Sequence, residues 1–128
     1  MLEGAHRKSD DNGESRLTAV KAATFTLADL AARIKTRASA SPETSYTRRL
    51  LDKGVAHCAK KLGEEAVETA LAAIGEDRER LIAETADLLY HRLVVLEARG
   101  VTLKDVEAAL AARVGQSGLE EKASRRRD

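Results

Sequence analysis

The chain has 128 residues, of which 43% are hydrophobic and only 2% aromatic, so its length fits one small domain whose core must consist mainly of Leu, Val, Ile and Ala. The formal net charge is +1, which gives no overall reason to expect a nucleic acid or a membrane as a partner. The single cysteine cannot form an internal disulfide, and we find neither a secretory signal nor an apolar run of about 18 residues, so we expect a cytoplasmic protein.

The first segment in chain order, residues 1–24, is largely polar and lacks a helical apolar period, which predicts a disordered tail. Residues 25–128 are predicted to form a single domain that ends in the polar segment QSGLEEKASRRRD. Helical spacing and capping residues predict helices, in order, over TLADLAARIKTRA, over SYTRRLLDKG, from Val55 to about Ile74, from Glu76 to Gly100, and over TLKDVEAALAARVG. Short connections make neighbouring helices antiparallel, so the predicted fold class is an all-α antiparallel helical bundle.

Two acidic motifs lie in the two longest predicted helices. EEAVE contributes Glu64, Glu65 and Glu68, and ETAD contributes Glu84 and Asp87. Residues three apart share one side of a helix, so each motif can direct two carboxylates to one place, and antiparallel packing can bring the two pairs together. The helix that carries ETAD is apolar nearly all round, which predicts burial, and an ionised carboxylate is costly there unless it is paired or binds a metal. Four carboxylates are the hard oxygen ligands that suit Mg²⁺ or Mn²⁺.

Other interpretations of these charges remain open at this point. EEAVE alone is typical of a solvated helix surface, and salt bridges to Lys60, Lys61 and Arg80 would also explain the acids. The basic residues ahead of the acids could bind phosphate or could simply face solvent. They are Arg48, Arg49, Lys53, Lys60 and Lys61.

Three further positions are ambiguous. Gly63 lies inside a predicted helix, where it costs about 1 kcal/mol relative to Ala, and is either a surface glycine or a point of close approach by a ligand or another backbone. Cys58 is predicted to be a small core residue. His91, one turn after Asp87, is either a buried core residue or a support for the acids.

The pattern EExxE, 15 residues and then ExxD resembles that of the all-α nucleoside-triphosphate pyrophosphatases, a superfamily with MazG-like and dimeric dUTPase-like members. Within it, the segments SYTRRLLDKG, CAKKLGEEAVETALAA, ETADLLYH and QSGLEEKASR resemble the phosphoribosyl-ATP pyrophosphatase family. The resemblance extends over about residues 25–125.

This resemblance implies hydrolysis of phosphoribosyl-ATP to phosphoribosyl-AMP and pyrophosphate, the second step of histidine biosynthesis, with Mg²⁺ as cofactor. It also implies a homodimer that completes the bundle. For Glu64 it implies one of two roles: the residue positions or deprotonates the attacking water, or it is an accessory metal ligand. It assigns the metal to Glu65, Glu68, Glu84 and Asp87, and phosphate contacts to Arg48, Lys53, Lys60 and Lys61. The alternatives are a house-cleaning pyrophosphatase for free NTPs or dNTPs and a non-catalytic helical interaction module.

Overall fold

A computed structural model of the chain describes residues 24–75, 77–114 and 118–127. The described residues contain helices and no strand, which confirms the predicted all-α fold class. The helices are α1 Leu27–Ala38, α2 Tyr46–Asp52, α3 Val55–Ile74, α4 Arg78–Ala98, α5 Leu103–Arg113 and α6 Gly118–Arg127. Apart from Thr24, the predicted tail lies outside the described residues and stays a prediction.

The helix starts follow the capping signals of the sequence. Thr26 and Thr102 cap α1 and α5 in the same way. Each hydroxyl accepts a hydrogen bond at 3.1 Å from the backbone N–H of the aspartate three residues later, Asp29 or Asp105. The carboxylate of that aspartate in turn accepts a hydrogen bond at 2.9 Å from the backbone N–H of the threonine. These bonds lower the pKa of Asp105. Helix α4 begins two residues later than the sequence suggests, because Asp77 is its cap and accepts from the N–H of Arg80.

Helices α3 and α4 form a hairpin that is the most extensive helix–helix contact of the described chain. Only residues 75–77 connect them, so the two helices run antiparallel. Contacts along the pair agree with this direction, since Lys61 influences His91 near one end and Thr69 bonds to Glu84 near the other. This register determines which acids of the two motifs meet.

The core lies at one end of this hairpin, where α1 and α2 cover it. It consists of Ile34, Leu50, Cys58, Leu93 and Val94. The thiol of Cys58 lies 3.2 Å from the carbonyl oxygen of Leu50 and is fully buried, which confirms the prediction of a small core residue.

The other end of the hairpin is uncovered. Val67, Leu71 and Ile74 of α3 are 61%, 56% and 78% exposed, and Ile82 of α4 is 49% exposed. The expectation that α4 is buried on all sides is therefore wrong for the single chain, in which only three of its residues are buried. The physical reason is that no described helix of the same chain packs over this end.

The C-terminal segment, predicted only as polar, contains the helix α6. Good helix formers such as Leu, Glu, Lys, Ala and Arg supply most of its residues, and these favour a helix even without an apolar side. None of the helices that the structure describes combines the length and the apolarity needed to cross a membrane.

Candidate metal centre

Three carboxylates from the two acidic motifs meet across the α3–α4 hairpin. Glu65 of α3 and Glu84 and Asp87 of α4 each place a carboxylate oxygen within 4.8 Å of those of the other two. We call these three residues the acid cluster. The i,i+3 spacing of Glu84 and Asp87 puts them on one side of α4, and the antiparallel register brings that side to Glu65.

The acid cluster holds buried oxygens that lack partners. Oε2 of Glu65 and Oε2 of Glu84 are inaccessible to solvent and have no hydrogen-bond partner. Burial raises the pKa of Glu65, and the negative charges of Glu68 and Asp87 raise it further. Burial also raises the pKa of Glu84, and the neighbouring carboxylate of Glu68 raises it further. Buried, mutually repelling carboxylate oxygens fit a divalent cation, which would supply both the missing charge and the missing contacts.

Glu68 lies beside the acid cluster without being part of the group of three. Its side chain is exposed in the single chain, yet its charge raises the pKa values of both Glu65 and Glu84. The structure therefore brings three of the four predicted ligands together and places the fourth next to them.

Glu64 lies outside the acid cluster and is paired with Lys61. Its Oε2 lies 3.5 Å from Nζ of Lys61, and both side chains are partly exposed. This is one of three ion pairs found among the described residues, the others being Arg48–Asp52 and Arg78–Glu79, and none of them involves the acid cluster. Salt bridges to Lys60, Lys61 or Arg80 therefore do not explain the cluster within the described part of the chain.

Thr69 fixes the two helices at the level of the cluster, a role that sequence reasoning missed. Its Oγ1 lies 2.8 Å from the carbonyl oxygen of Glu65 and 3.0 Å from that of Glu84, so the hydroxyl can donate across the hairpin. The threonine one turn after Glu65 is visible in the sequence, but its partner on α4 depends on how the two helices are aligned.

His91 is a buried residue behind the site. Only 7% of it is exposed, and burial lowers its pKa, followed by the positive charge of Lys61. Its ring stands edge-on against Tyr90 at a centroid distance of 5.1 Å. This packing favours the core interpretation of His91.

The predicted phosphate contacts are in different surroundings. Arg48 donates a hydrogen bond to Asp52 on its own helix at 2.9 Å and another to the carbonyl oxygen of Ala40, in the loop before α2, at 3.2 Å. Lys53 and Lys60 are exposed, and Lys61 is the partner of Glu64. Of the four, the structure brings only Lys61 into the electrostatic surroundings of the acid cluster, where it opposes the rise in the pKa of Glu65.

A pocket of about 380 Å³ opens beside α1, α2 and α4. Arg33, Arg37, Tyr46 and Tyr90 contribute to its lining, and we call it the arginine pocket. The sequence analysis does not single out Arg33 and Arg37, although their i,i+4 spacing places them on one side of α1.

The comparisons with known proteins agree with the acidic pattern. The family model described as phosphoribosyl-ATP pyrophosphohydrolase matches residues 27–114, which include the whole acid cluster. The chain belongs to this family. Among relatives of this pyrophosphohydrolase family, phosphoribosyl-ATP pyrophosphatase 1 of Rhodopseudomonas palustris is 63% identical over 106 residues, covering 83% of this chain and 99% of the relative. Phosphoribosyl-ATP pyrophosphatase 1 of Bradyrhizobium diazoefficiens is 66% identical over 102 residues, which cover 80% of this chain and 96% of that relative.

Proposed function

We propose that the protein hydrolyses phosphoribosyl-ATP to phosphoribosyl-AMP and pyrophosphate in histidine biosynthesis. The observation that carries the proposal is the acid cluster within the family-matched residues, with its two buried and partnerless carboxylate oxygens. A helical interaction module has no need for such oxygens, because burying them without partners is unfavourable.

The proposed cofactor is Mg²⁺, with Mn²⁺ as a substitute. Glu65, Glu84 and Asp87 would hold it, and Glu68 is close enough to join them after a change of side-chain conformation. A divalent ion bound there would neutralise phosphate charge and lower the pKa of a coordinated water.

The remaining chemistry falls to residues at the edge of the acid cluster. Glu64 is partly exposed and can accept the proton of an attacking water once Lys61 turns from it to a phosphate oxygen. Lys60 and Lys53 are exposed and remain our proposed contacts for the phosphate chain, together with Arg48.

We also propose that the protein is a cytoplasmic homodimer. The exposed apolar residues Val67, Leu71 and Ile74 recur at helical spacing on α3 and form one stripe, and such a stripe usually packs against another surface. A second copy of the hairpin would cover it. In light-scattering measurements, Leu71→Glu should shift the protein towards the monomer, whereas Leu110→Glu on α5 should not; a wild-type monomer at micromolar concentration contradicts the dimer.

The activity is tested by pyrophosphate release from phosphoribosyl-ATP with and without Mg²⁺. Glu65→Gln and Glu84→Gln should each lower kcat/KM by at least about 100-fold while the helical circular-dichroism spectrum persists. Glu79→Gln, an exposed acid on the same helix as Glu84, is the matched control and should stay within about twofold.

A panel that includes dCTP, dUTP and ATP tests the substrate. Rapid release from a free nucleotide with none from phosphoribosyl-ATP would contradict the proposed substrate in favour of a house-cleaning enzyme. Full activity of both glutamine variants would contradict the acid cluster as the site.

A further inference from the structure

The arginine pocket carries positive charge that no described residue neutralises. Arg33 and Arg37 lie one turn apart on α1, and both line the pocket. Neither guanidinium has a hydrogen-bond or ion-pair partner among the described residues, and no acidic residue lines the pocket. Two unpaired guanidinium groups beside one cavity favour an anion, and phosphate is the anion whose geometry they match best.

The same pocket offers an aromatic surface. The rings of Tyr46 and Tyr90 stack with centroids 6.4 Å apart and an interplanar angle of 17°. Tyr90 is fixed by a 2.6 Å hydrogen bond between its hydroxyl and Thr47, whereas Tyr46 is 52% exposed. An exposed ring held against a fixed one can stack with a planar base. The volume of about 380 Å³ is within the range of pockets that take small organic ligands.

The arginine pocket and the acid cluster each include a residue of α4, Tyr90 and Asp87 respectively. Tyr90 follows Asp87 by three residues, so the two lie on the same side of the helix and about 4.5 Å apart along its axis. One ligand can therefore occupy both places. Phosphoribosyl-ATP has the matching construction, because it carries a triphosphate at one end, adenine in the middle and a phosphoribosyl group at the other end.

We propose, on the basis of the proposed function, that the arginine pocket binds the adenine and the phosphoribosyl group of the substrate, with Tyr46 under the base and Arg33 and Arg37 on the remote phosphate. The pocket then distinguishes phosphoribosyl-ATP from ATP, since ATP has the triphosphate and the base but lacks the group that the arginines hold.

Binding of two product-like probes tests this assignment by calorimetry in the presence of Mg²⁺. Phosphoribosyl-AMP contains the added phosphate and AMP does not, so wild-type protein should bind phosphoribosyl-AMP about 10- to 100-fold more tightly than AMP. The double variant Arg33→Gln with Arg37→Gln should lose that advantage while its affinity for AMP changes by less than about threefold. Tyr46→Ala should weaken both probes by a similar factor, about tenfold, because both contain adenine.

Lys35→Gln is the matched control, because it removes a positive charge from the same helix at a residue that lines a different pocket. It should leave both affinities within about twofold. In steady-state assays with phosphoribosyl-ATP, the double arginine variant should raise KM and leave kcat within about threefold, since the arginines do not touch the reacting phosphates.

Two results would overturn the assignment. One is equal or undetectable binding of the two probes by wild-type protein. The other is a ratio of the two affinities that is unchanged in the double arginine variant, whether or not both affinities fall. Failure of the proposed function gives a different pattern. Wild-type protein would then release no pyrophosphate from phosphoribosyl-ATP even where phosphoribosyl-AMP binding depends on Arg33 and Arg37.

Discussion

The hydroxyl of Thr69 links α3 to α4 by a hydrogen bond at the level of the acid cluster. Replacing it in Thr69→Val keeps the shape of the side chain and removes the donor that lies 3.0 Å from the carbonyl oxygen of Glu84. The contact at 2.8 Å with the carbonyl oxygen of Glu65, one turn earlier on the same helix, contributes little to stability in general. The interhelical bond therefore dominates the expected effect.

Its magnitude follows from the surroundings. A neutral hydrogen bond contributes about 1 kcal/mol net, and the carbonyl group of Glu84 lies within α4, where it can still accept its helical bond. The larger penalty for a buried acceptor without any partner thus does not apply. We expect Thr69→Val to lower the free energy of unfolding by about 1 kcal/mol, which corresponds to about 4 °C in Tm for a domain of this size.

The measurement is urea unfolding followed by circular dichroism at a fixed protein concentration, because association would otherwise contribute to the result. Thr69→Ser retains the hydroxyl and should recover most of the loss. Thr36→Val is the matched control, since Thr36 donates only to the carbonyl oxygen of Ala32 on its own helix, and its effect should be below about 0.5 kcal/mol. If Thr36→Val and Thr69→Val destabilise equally, the interhelical bond is not the cause. Thr69→Val should also raise the Mg²⁺ concentration needed for half-maximal activity, because it loosens α3 against α4 at the acid cluster.

Three other outcomes are expected. The raised pKa values of Glu65 and Glu84 make the folded chain hold protons more tightly than the unfolded chain, so metal-free protein should lose stability as the pH rises from about 4.5 through the folded pKa values. Mg²⁺ should abolish that loss, and parallel curves of Tm against pH with and without Mg²⁺ would contradict this expectation. Gly63→Ala should stabilise the chain by about 1 kcal/mol in urea unfolding, since no other side chain or loop lies within 4 Å of the added carbon, and reduced activity would instead indicate a ligand or second subunit there. Tyr90→Phe should cost about 1–2 kcal/mol in the same assay because it leaves the buried hydroxyl of Thr47 without its partner, and an unchanged midpoint would show that this bond contributes little.

Much of the fold was predictable because its signals are local. Thr26, Thr102 and Gly75 mark helix ends through side-chain caps or a glycine next to the helix, and these depend on a few neighbouring residues. The meeting of Glu65 with Glu84 and Asp87 was also predictable, because a three-residue connection forces an antiparallel hairpin and the i,i+3 spacing selects one side of α4.

Other features depend on how the helices rotate and pack, which the pattern does not determine. Glu68 is exposed because of the way α3 is rotated about its own axis against α4. A different rotation of α3 would have turned Glu68 towards Glu84 and Asp87. The arginine pocket needs Arg33 of α1, Tyr46 of α2 and Tyr90 of α4 to be brought together by tertiary packing. No local signal in the sequence indicates that arrangement.

The position of the acid cluster along the hairpin links metal binding to the proposed dimer. The cluster lies between the buried end, where α1 and α2 provide a core, and the uncovered end, where Val67, Leu71 and Ile74 are exposed. Glu68 is exposed in the single chain and precedes Leu71 by three residues, so a second copy packed on that stripe would remove water from Glu68 and make its ionised form more costly without a cation. The proposed Mg²⁺ would relieve that cost, so the ion should bind more tightly to the dimer than to the monomer. Because such coupling is reciprocal, Mg²⁺ should tighten the dimer by a corresponding factor.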